Sequence, residues 1–412
     1  MSWNLELDSS LKRVKILMEK GVKVLNPQSV YVGEEVDLGR ISGDDVTIYP
    51  NCRIHGKKTV ISKGSRIGTE GPVTILDVRV GPHVELKSGF FENSVFLQKS
   101  VAGYGSHVRE GCIFEEEASC AHSCGLKQTI LFPFVTLGSL INFCDCLIAG
   151  GRSRKEHSEV GSSYVHFNFT PHYDKATPSL FGDVPRGVML REPPIFLGGQ
   201  GGAVGPIRLG YGNVVAAGSI LRKDYLDENK LIMAKKGKDQ ILDFRRSLYP
   251  DLKRIVANNV IYLSNLKALK EWYRHVRFEF LKKEEFGEWI YEGLIETVDI
   301  SVKERLKRLN ELVFNLSFRK TEEVELKEGM RRIDEIFLDE DTQKNSSELK
   351  EKFKERILSF CESGLEYVQS IKSLNEESVS WGVRWLTGVI ENYLLQVDKV
   401  LPSFGILTRF RT

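Results

Sequence analysis

The chain has 412 residues, 41% of them hydrophobic, enough to bury a sizeable core spread over two or three domains. A formal net charge of only +2 argues against broad electrostatic capture of nucleic acid or membrane. Seven scattered cysteines and no long apolar run point to reduced thiols and a cytoplasmic setting, not to secretion or a membrane span.

The opening MSWNLELDSS lacks the basic-then-apolar order of a secretory signal. Glycines and prolines then dominate up to about residue 225. Within that stretch Leu197, Ala203, Leu209, Val215 and Leu221 form an unbroken ladder, one rung every six residues. Six matches neither the helical period of about 3.6 nor the strand period of about 2. The residues two before the later rungs, Gly201, Ile207, Asn213 and Ser219, are mostly small. Positions two apart share a strand face, so each hexad would supply one short strand with two inward residues, then turn a corner. Glycine often follows a rung, as at Gly198 and Gly210, where a corner is expected to need unusual backbone angles.

The same pattern occurs upstream with interruptions, at Val32, Leu38, Ile48, Ile54, Ile61, Ile67, Val80, Leu86, Val108 and Phe114. A short fixed period over some 200 residues predicts a solenoid whose coils bury a face only by stacking. Residues 26–225 are therefore expected to form a parallel β-helix of hexapeptide repeats.

Four stretches carry a family resemblance: LMEKGVKVLNPQSVYVGEEVDLG (17–39), VTIYPNCRIHGKKTVISKGSRIG (46–68), AGYGSHVREGC (102–112) and FLGGQGGAVGPIRLGYGNVVAAGSILRKD (196–224). They resemble the linker and C-terminal part of the bifunctional glucosamine-1-phosphate acetyltransferase / N-acetylglucosamine-1-phosphate uridylyltransferase family. That resemblance implies that residues 1–25 form a linker helix, followed by a left-handed β-helix in a homotrimer, with acetyl-CoA and a phosphorylated amino sugar bound between neighbouring β-helices. No glycine-rich loop of the family's nucleotide-binding domain occurs, so uridylyl transfer is not expected of these residues.

Carried across position by position, the resemblance assigns the sugar-phosphate arginine to Arg109 in HVREG and a lysine to Lys127 in GLKQ, where the family's glutamate becomes Gly125. The family's catalytic histidine falls on Ser139 in LGSLINF, and a following tyrosine on Asn142. Asn168 survives in VHFNFTPHYDK, Lys175 stands one residue late, and Ala217 matches an alanine that contacts acyl-CoA. Serine cannot act as a base near neutral pH without an activating partner of its own. His166 and His172, flanking Asn168, are candidates for the missing imidazole, and His122 in CAHSC is another.

Other features have bland and functional readings side by side. The loop GGRSRKEHSEVG (150–161) gathers Arg152, Arg154 and Lys155 and could grip a phosphate beside the site, or could be a solvated loop. GDVPRGVMLREPP (182–194) is an insertion with Arg186 and Arg191 that could reshape the pocket. Cys120, His122, Cys124, Cys144 and Cys146 contain metal-ligating types without a standard zinc spacing, and no metal is expected. GGQGG (198–202) lacks the lysine of a P-loop and reads as a coil corner.

Beyond residue 226 the charge density rises and apolar residues recur at three and four, as in Leu252, Ile255, Val256, Val260 and Leu263, or Leu386, Val389, Ile390, Tyr393 and Leu394. Residues 226–412 are expected to form a C-terminal α-helical bundle, with LDEDTQKNSS (338–347) as a loop. Its expected roles are to cap the solenoid's open end and support oligomerisation, or to bind a partner.

Two functional readings stay open. One is an acyl-CoA-dependent N-acyltransferase acting on a phosphorylated amino sugar or a nucleotide sugar of the UDP-N-acetylglucosamine type. Its residues would be Arg109, Lys127, Asn168 and Lys175 for the acceptor, Ala217 for acyl-CoA, and His166 or His172 as base. The other is a catalytically silent trimer that binds such ligands or partners a separate uridylyltransferase subunit.

Overall fold

A computed structural model describes residues 2–162, 165–167, 171–234, 241, 249–339 and 348–411. Short parallel strands stack coil upon coil from Lys23 to Ile232. Corners with residues in the left-handed region, among them Asp45, Asn51, Asp77, Lys99, Glu117 and Leu140, separate three faces. The first face is an eleven-stranded sheet running from Lys23–Val24 to Leu231–Ile232. The second and third faces share one hydrogen-bonded sheet, because Gly125–Leu131 and Asn142–Ile148 each run around a corner. Gln128 and Asp145, in the left-handed region at φ 50° and 57°, make that bend.

The six-residue ladder walks around the prism. Leu197 stacks on Val215 on the first face and Ala203 on Leu221 on the second, while Leu209 lies on Phe181 on the third. Three hexads make a coil, and every rung is buried. The glycines after the rungs serve a purpose other than the expected one. Gly198 and Gly210 are not among the residues with positive φ, which fall later in the corner, at Gln200, Gly212 and Gly218. A Cβ on Gly198 would instead lie 2.5 Å from the Ala217 amide nitrogen, so close coil stacking is what excludes a side chain there.

Helix α1 (Ser2–Lys20) covers the N-terminal coil, burying Val14 and Leu17, and Ser10 Oγ accepts a hydrogen bond from the Val32 amide at 2.9 Å. A short α2 (Val184–Gly187) follows the third-face strand Ser179–Phe181. The C-terminal region contains α3 (Leu252–Trp272), a π-helical turn (Tyr273–Arg277), α4 (Phe278–Leu281), α5 (Gly287–Phe314), α6 (Thr321–Leu338), α7 (Glu348–Glu362), α8 (Tyr367–Lys372), α9 (Glu376–Val400) and α10 (Ile406–Arg411). Among the described residues no helix is long and apolar enough to cross a membrane.

These helices lie along a side of the solenoid as well as against one another. Helix α5 packs on Arg79–Val80, Ser94–Phe96 and Cys112–Phe114, and α3 packs on Ser179–Phe181. The reason is a second apolar column on the third face. Val95, Ile113, Ile130, Leu147 and Leu180 stand in register beside the inward rungs, and all five are buried. A strand covered on both faces reads as a continuous apolar run, as these do. Polar anchors fix the docking. Arg305 of α5 pairs with Asp145 at 2.7 Å, their side chains 2% and 9% exposed. The π-helical turn aims Tyr273 and Arg277 at the solenoid, where Tyr273 Oη donates to Glu115 Oε1 at 2.5 Å and Arg277 pairs with Glu116.

Candidate functional site

The second face carries a grid of outward residues. Its strands pair in register, with His107 beside Gly125 and Gly125 beside Asn142. Two residues further along, Lys127 pairs with Cys144, and Arg109, whose amide donates to the Leu126 carbonyl, occupies the rung before Lys127. Arg109 and Lys127 therefore project from adjacent coils, and both cations act on the Cys144 thiol, although burial outweighs them and raises its pKa. Arg109 is exposed; Lys127 is half-buried and pairs with Glu110 at 2.9 Å.

The corner leading into this face holds a second row, with Tyr104, His122, Ser139, Ser162, Gly199 and Ala217 at equivalent places on successive coils. Within it Ser139 Oγ lies 2.8 Å from His122 Nδ1. Backbone bonds from the Ala121 amide to the Leu137 carbonyl, and from Leu140 to His122, clamp the two turns together on either side of the pair. Gly138 permits the next coil to approach, since a Cβ there would lie 2.7 Å from the Ser162 amide nitrogen. His122 is exposed and Ser139 half-buried, so the pair faces outward. Ala217, also exposed, lies three coils beyond Ser139, about 14 Å away at the usual strand spacing.

No family model matches the chain. Curated relatives do match: the bifunctional protein GlmU of Thermotoga maritima is 25% identical over 224 residues, covering 53% of this chain and 44% of that protein. GlmU of Carboxydothermus hydrogenoformans is 28% identical over 224 residues, 54% of this chain and 44% of its own, and GlmU of Pelobacter propionicus is 28% identical over 211 residues, 50% and 40%. Half of this chain is GlmU-like. The chain spans less than half the length of these GlmU proteins, and a parallel β-solenoid fits the hexapeptide-repeat architecture expected from the resemblance.

The residues that the likeness to GlmU singles out are distributed unevenly. Lys127 acts electrostatically on Glu304 of α5, the Lys175 carbonyl accepts from Arg305 at 3.4 Å, and the His172 carbonyl accepts from Asn315 at 2.7 Å. Glu304 and Asn315 stand about 16 Å apart along the helical axis. His172 thus lies well along α5 from Lys127, its ring centroid 4.6 Å from that of Tyr249. Lys175 is exposed, with φ 54°. His166 sits in the strand Val165–Phe167 and pairs with Ala203, which in turn pairs with Leu221. Asn168 lies outside the described residues.

The two arginine-bearing insertions sit elsewhere. Arg154 donates to the carbonyls of Glu117 and Phe134, at 3.1 and 2.9 Å, and so binds the corner between the third and first faces. Arg186 pairs with Asp183 and Glu228 and covers the Tyr211 ring, while Arg191 binds Glu376 and the Leu374 carbonyl in the helical region. These cations hold the molecule together at places other than the second face. Among the described residues no cluster of three or more His, Cys, Asp or Glu side chains is arranged for a metal. Cys120, Cys124 and Cys146 are buried, whereas His122 is exposed. The His122–Ser139 pairing had one sequence signal: the two residues follow equivalent rungs, Cys120 and Leu137, by two positions.

Proposed function

We propose that the second face binds a phosphorylated amino sugar, or a related nucleotide sugar, together with acyl-CoA, and that the protein transfers the acyl group to the sugar amine. The observation that carries this reading is the placement of Arg109 and Lys127 on adjacent rungs of the face whose corner holds the His122–Ser139 pair. Two cations one coil apart suit a phosphate, whose oxygens accept charge-assisted hydrogen bonds. The imidazole expected at position 139 is supplied from the coil before it. His122 is the base that the geometry favours over His166 and His172, since it opens onto the corner row shared with Ala217. The pantetheine arm would run along that row past the Ala217 backbone, Lys175 would border the acceptor, and Asn168 would position it. Assembly as a homotrimer, with acyl-CoA drawn from the cytoplasm, belongs to the same reading.

Calorimetric titration with acetyl-CoA and with glucosamine 1-phosphate tests it, coupled to a thiol-release assay. Arg109→Ala and Lys127→Met should each weaken sugar-phosphate binding by roughly ten- to a hundredfold, as loss of one charge-assisted hydrogen bond worth about 1.5–3 kcal/mol would. Absence of binding to both ligands would remove the reading. A silent binding trimer is the second reading, favoured by the pairing of Lys127 with Glu110, which offsets part of the positive charge. It predicts ligand binding without thiol release, and capture of a separate uridylyltransferase subunit in a pull-down would extend it.

A further inference from the structure

We propose that Ser139 is itself an acyl acceptor, forming an O-acylserine with His122 as its base. This rests on the reading that acyl-CoA binds along the corner row. A serine hydroxyl becomes a competent nucleophile when an imidazole nitrogen lies within hydrogen-bond reach, and here Oγ and Nδ1 are 2.8 Å apart. The pair is preorganised by the coils instead of by flexible loops. The Leu140 amide donates to the His122 carbonyl at 3.1 Å and the Ala121 amide to the Leu137 carbonyl at 2.9 Å. Cys124 Sγ adds a third tie to the Gly138 carbonyl at 3.1 Å. One turn therefore cannot shift relative to the other without breaking solenoid bonds. The pair also faces outward, where a thioester carbonyl can reach it.

The Ser139 hydroxyl proton passes to His122 Nδ1 as Oγ attacks the thioester carbonyl carbon, and the carbon–sulfur bond breaks. The departing thiolate takes that proton from His122, leaving free CoA and an ester on Ser139. An amine acceptor then attacks the ester carbonyl, its proton passes to His122, and the carbon–oxygen bond breaks. Ser139 Oγ recovers the proton. Nothing is oxidised or reduced. Direct attack of the amine on the thioester, with His122 as sole base, is the competing route, and it leaves no ester on the protein.

The full-length chain is incubated with acetyl-CoA in the absence of acceptor, and released thiol, intact mass and peptide mass are followed. A burst of one CoA per chain is expected, with one acetyl group on the peptide containing Ser139. An amine acceptor should discharge that label. Ser139→Ala should abolish burst and label, and His122→Gln should slow acylation by about a hundredfold or more. Both positions lie at the surface, and circular dichroism checks that the variants stay folded. Binding and acceptor acetylation with no label, and with Ser139→Ala fully active, would overturn the acylserine while leaving the transferase reading intact. Failure to bind acetyl-CoA at all would remove that reading. The activated ester p-nitrophenyl acetate then decides the nucleophile separately, since failure of both reagents to label Ser139 overturns it.

Discussion

The buried ion pair between Arg305 and Asp145 ties α5 to the corner between the second and third faces, and its removal is a sharp test of how the two halves are joined. The nitrogen–oxygen distance is 2.7 Å, and the side chains are 2% and 9% exposed. Arg305→Met keeps most of the stem volume and removes the charge. Asp145 is then left buried without a counter-charge, at a cost of about 3–5 kcal/mol, two to four decades in the unfolding constant. Replacing both residues in Asp145→Leu/Arg305→Met removes the orphaned charge together with its partner, and stability should return to within about 1 kcal/mol of the parent or exceed it. Urea unfolding followed by tryptophan fluorescence suits the measurement, because Trp272, Trp289, Trp381 and Trp385 lie in α3, α5 and α9. Equal stability of Arg305→Met and the parent, or a double variant no better than the single, would refute this account of the docking.

Glu115 gives a pH signature. Burial, reinforced by Glu116, pushes its carboxyl up to about 8 from an ordinary 4.5, so the folded chain holds a proton that the unfolded chain releases. Stability should therefore fall as pH rises from about 4.5 through about 8, and Glu115→Gln should flatten that slope in thermal melts at several pH values. Gly198→Ala should lower stability by about 1–3 kcal/mol, because its Cβ would meet backbone atoms of the neighbouring coil. Gly388→Ala, in α9 with open space around the new methyl, should stabilise by up to about 1 kcal/mol, and opposite shifts in melting temperature check the pair. Of the seven cysteines only Cys144 is not buried. A maleimide should label Cys144 alone in the native state, and slowly because its thiol is raised by burial, with Cys144→Ser abolishing the reaction.

Much of the prism was legible because a repeat of six leaves little choice. Leu197, Ala203, Leu209, Val215 and Leu221 fall on three faces in rotation, and all five are buried. The constraint at Gly198 is backbone proximity across coils, which a single chain read in order does not display. The side-on docking of the helices was written in the pairs Val95-Phe96, Ile113-Phe114, Ile130-Leu131, Leu147-Ile148 and Leu180-Phe181, where outward and inward neighbours are both apolar. The six-residue period marks only the inward member of each pair. At the candidate site, Arg109 and Lys127 are singled out by motif resemblance alone. His122 and Ser139 were each visible too, but their contact was not. It depends on coil length, and insertions make the coils unequal, so the hexad alone cannot state which corner lies above which.

The double-sided burial of the third face makes the two halves inseparable in practice. A fragment stopping after Ile232 would present Val95, Ile113, Ile130, Leu147 and Leu180 to water as one greasy seam. Such a truncated prism should precipitate or cling to chaperones, whatever its own strands can manage. The helices therefore act as a permanent sheath, and any excision meant to yield the solenoid alone must first repaint that seam with polar side chains.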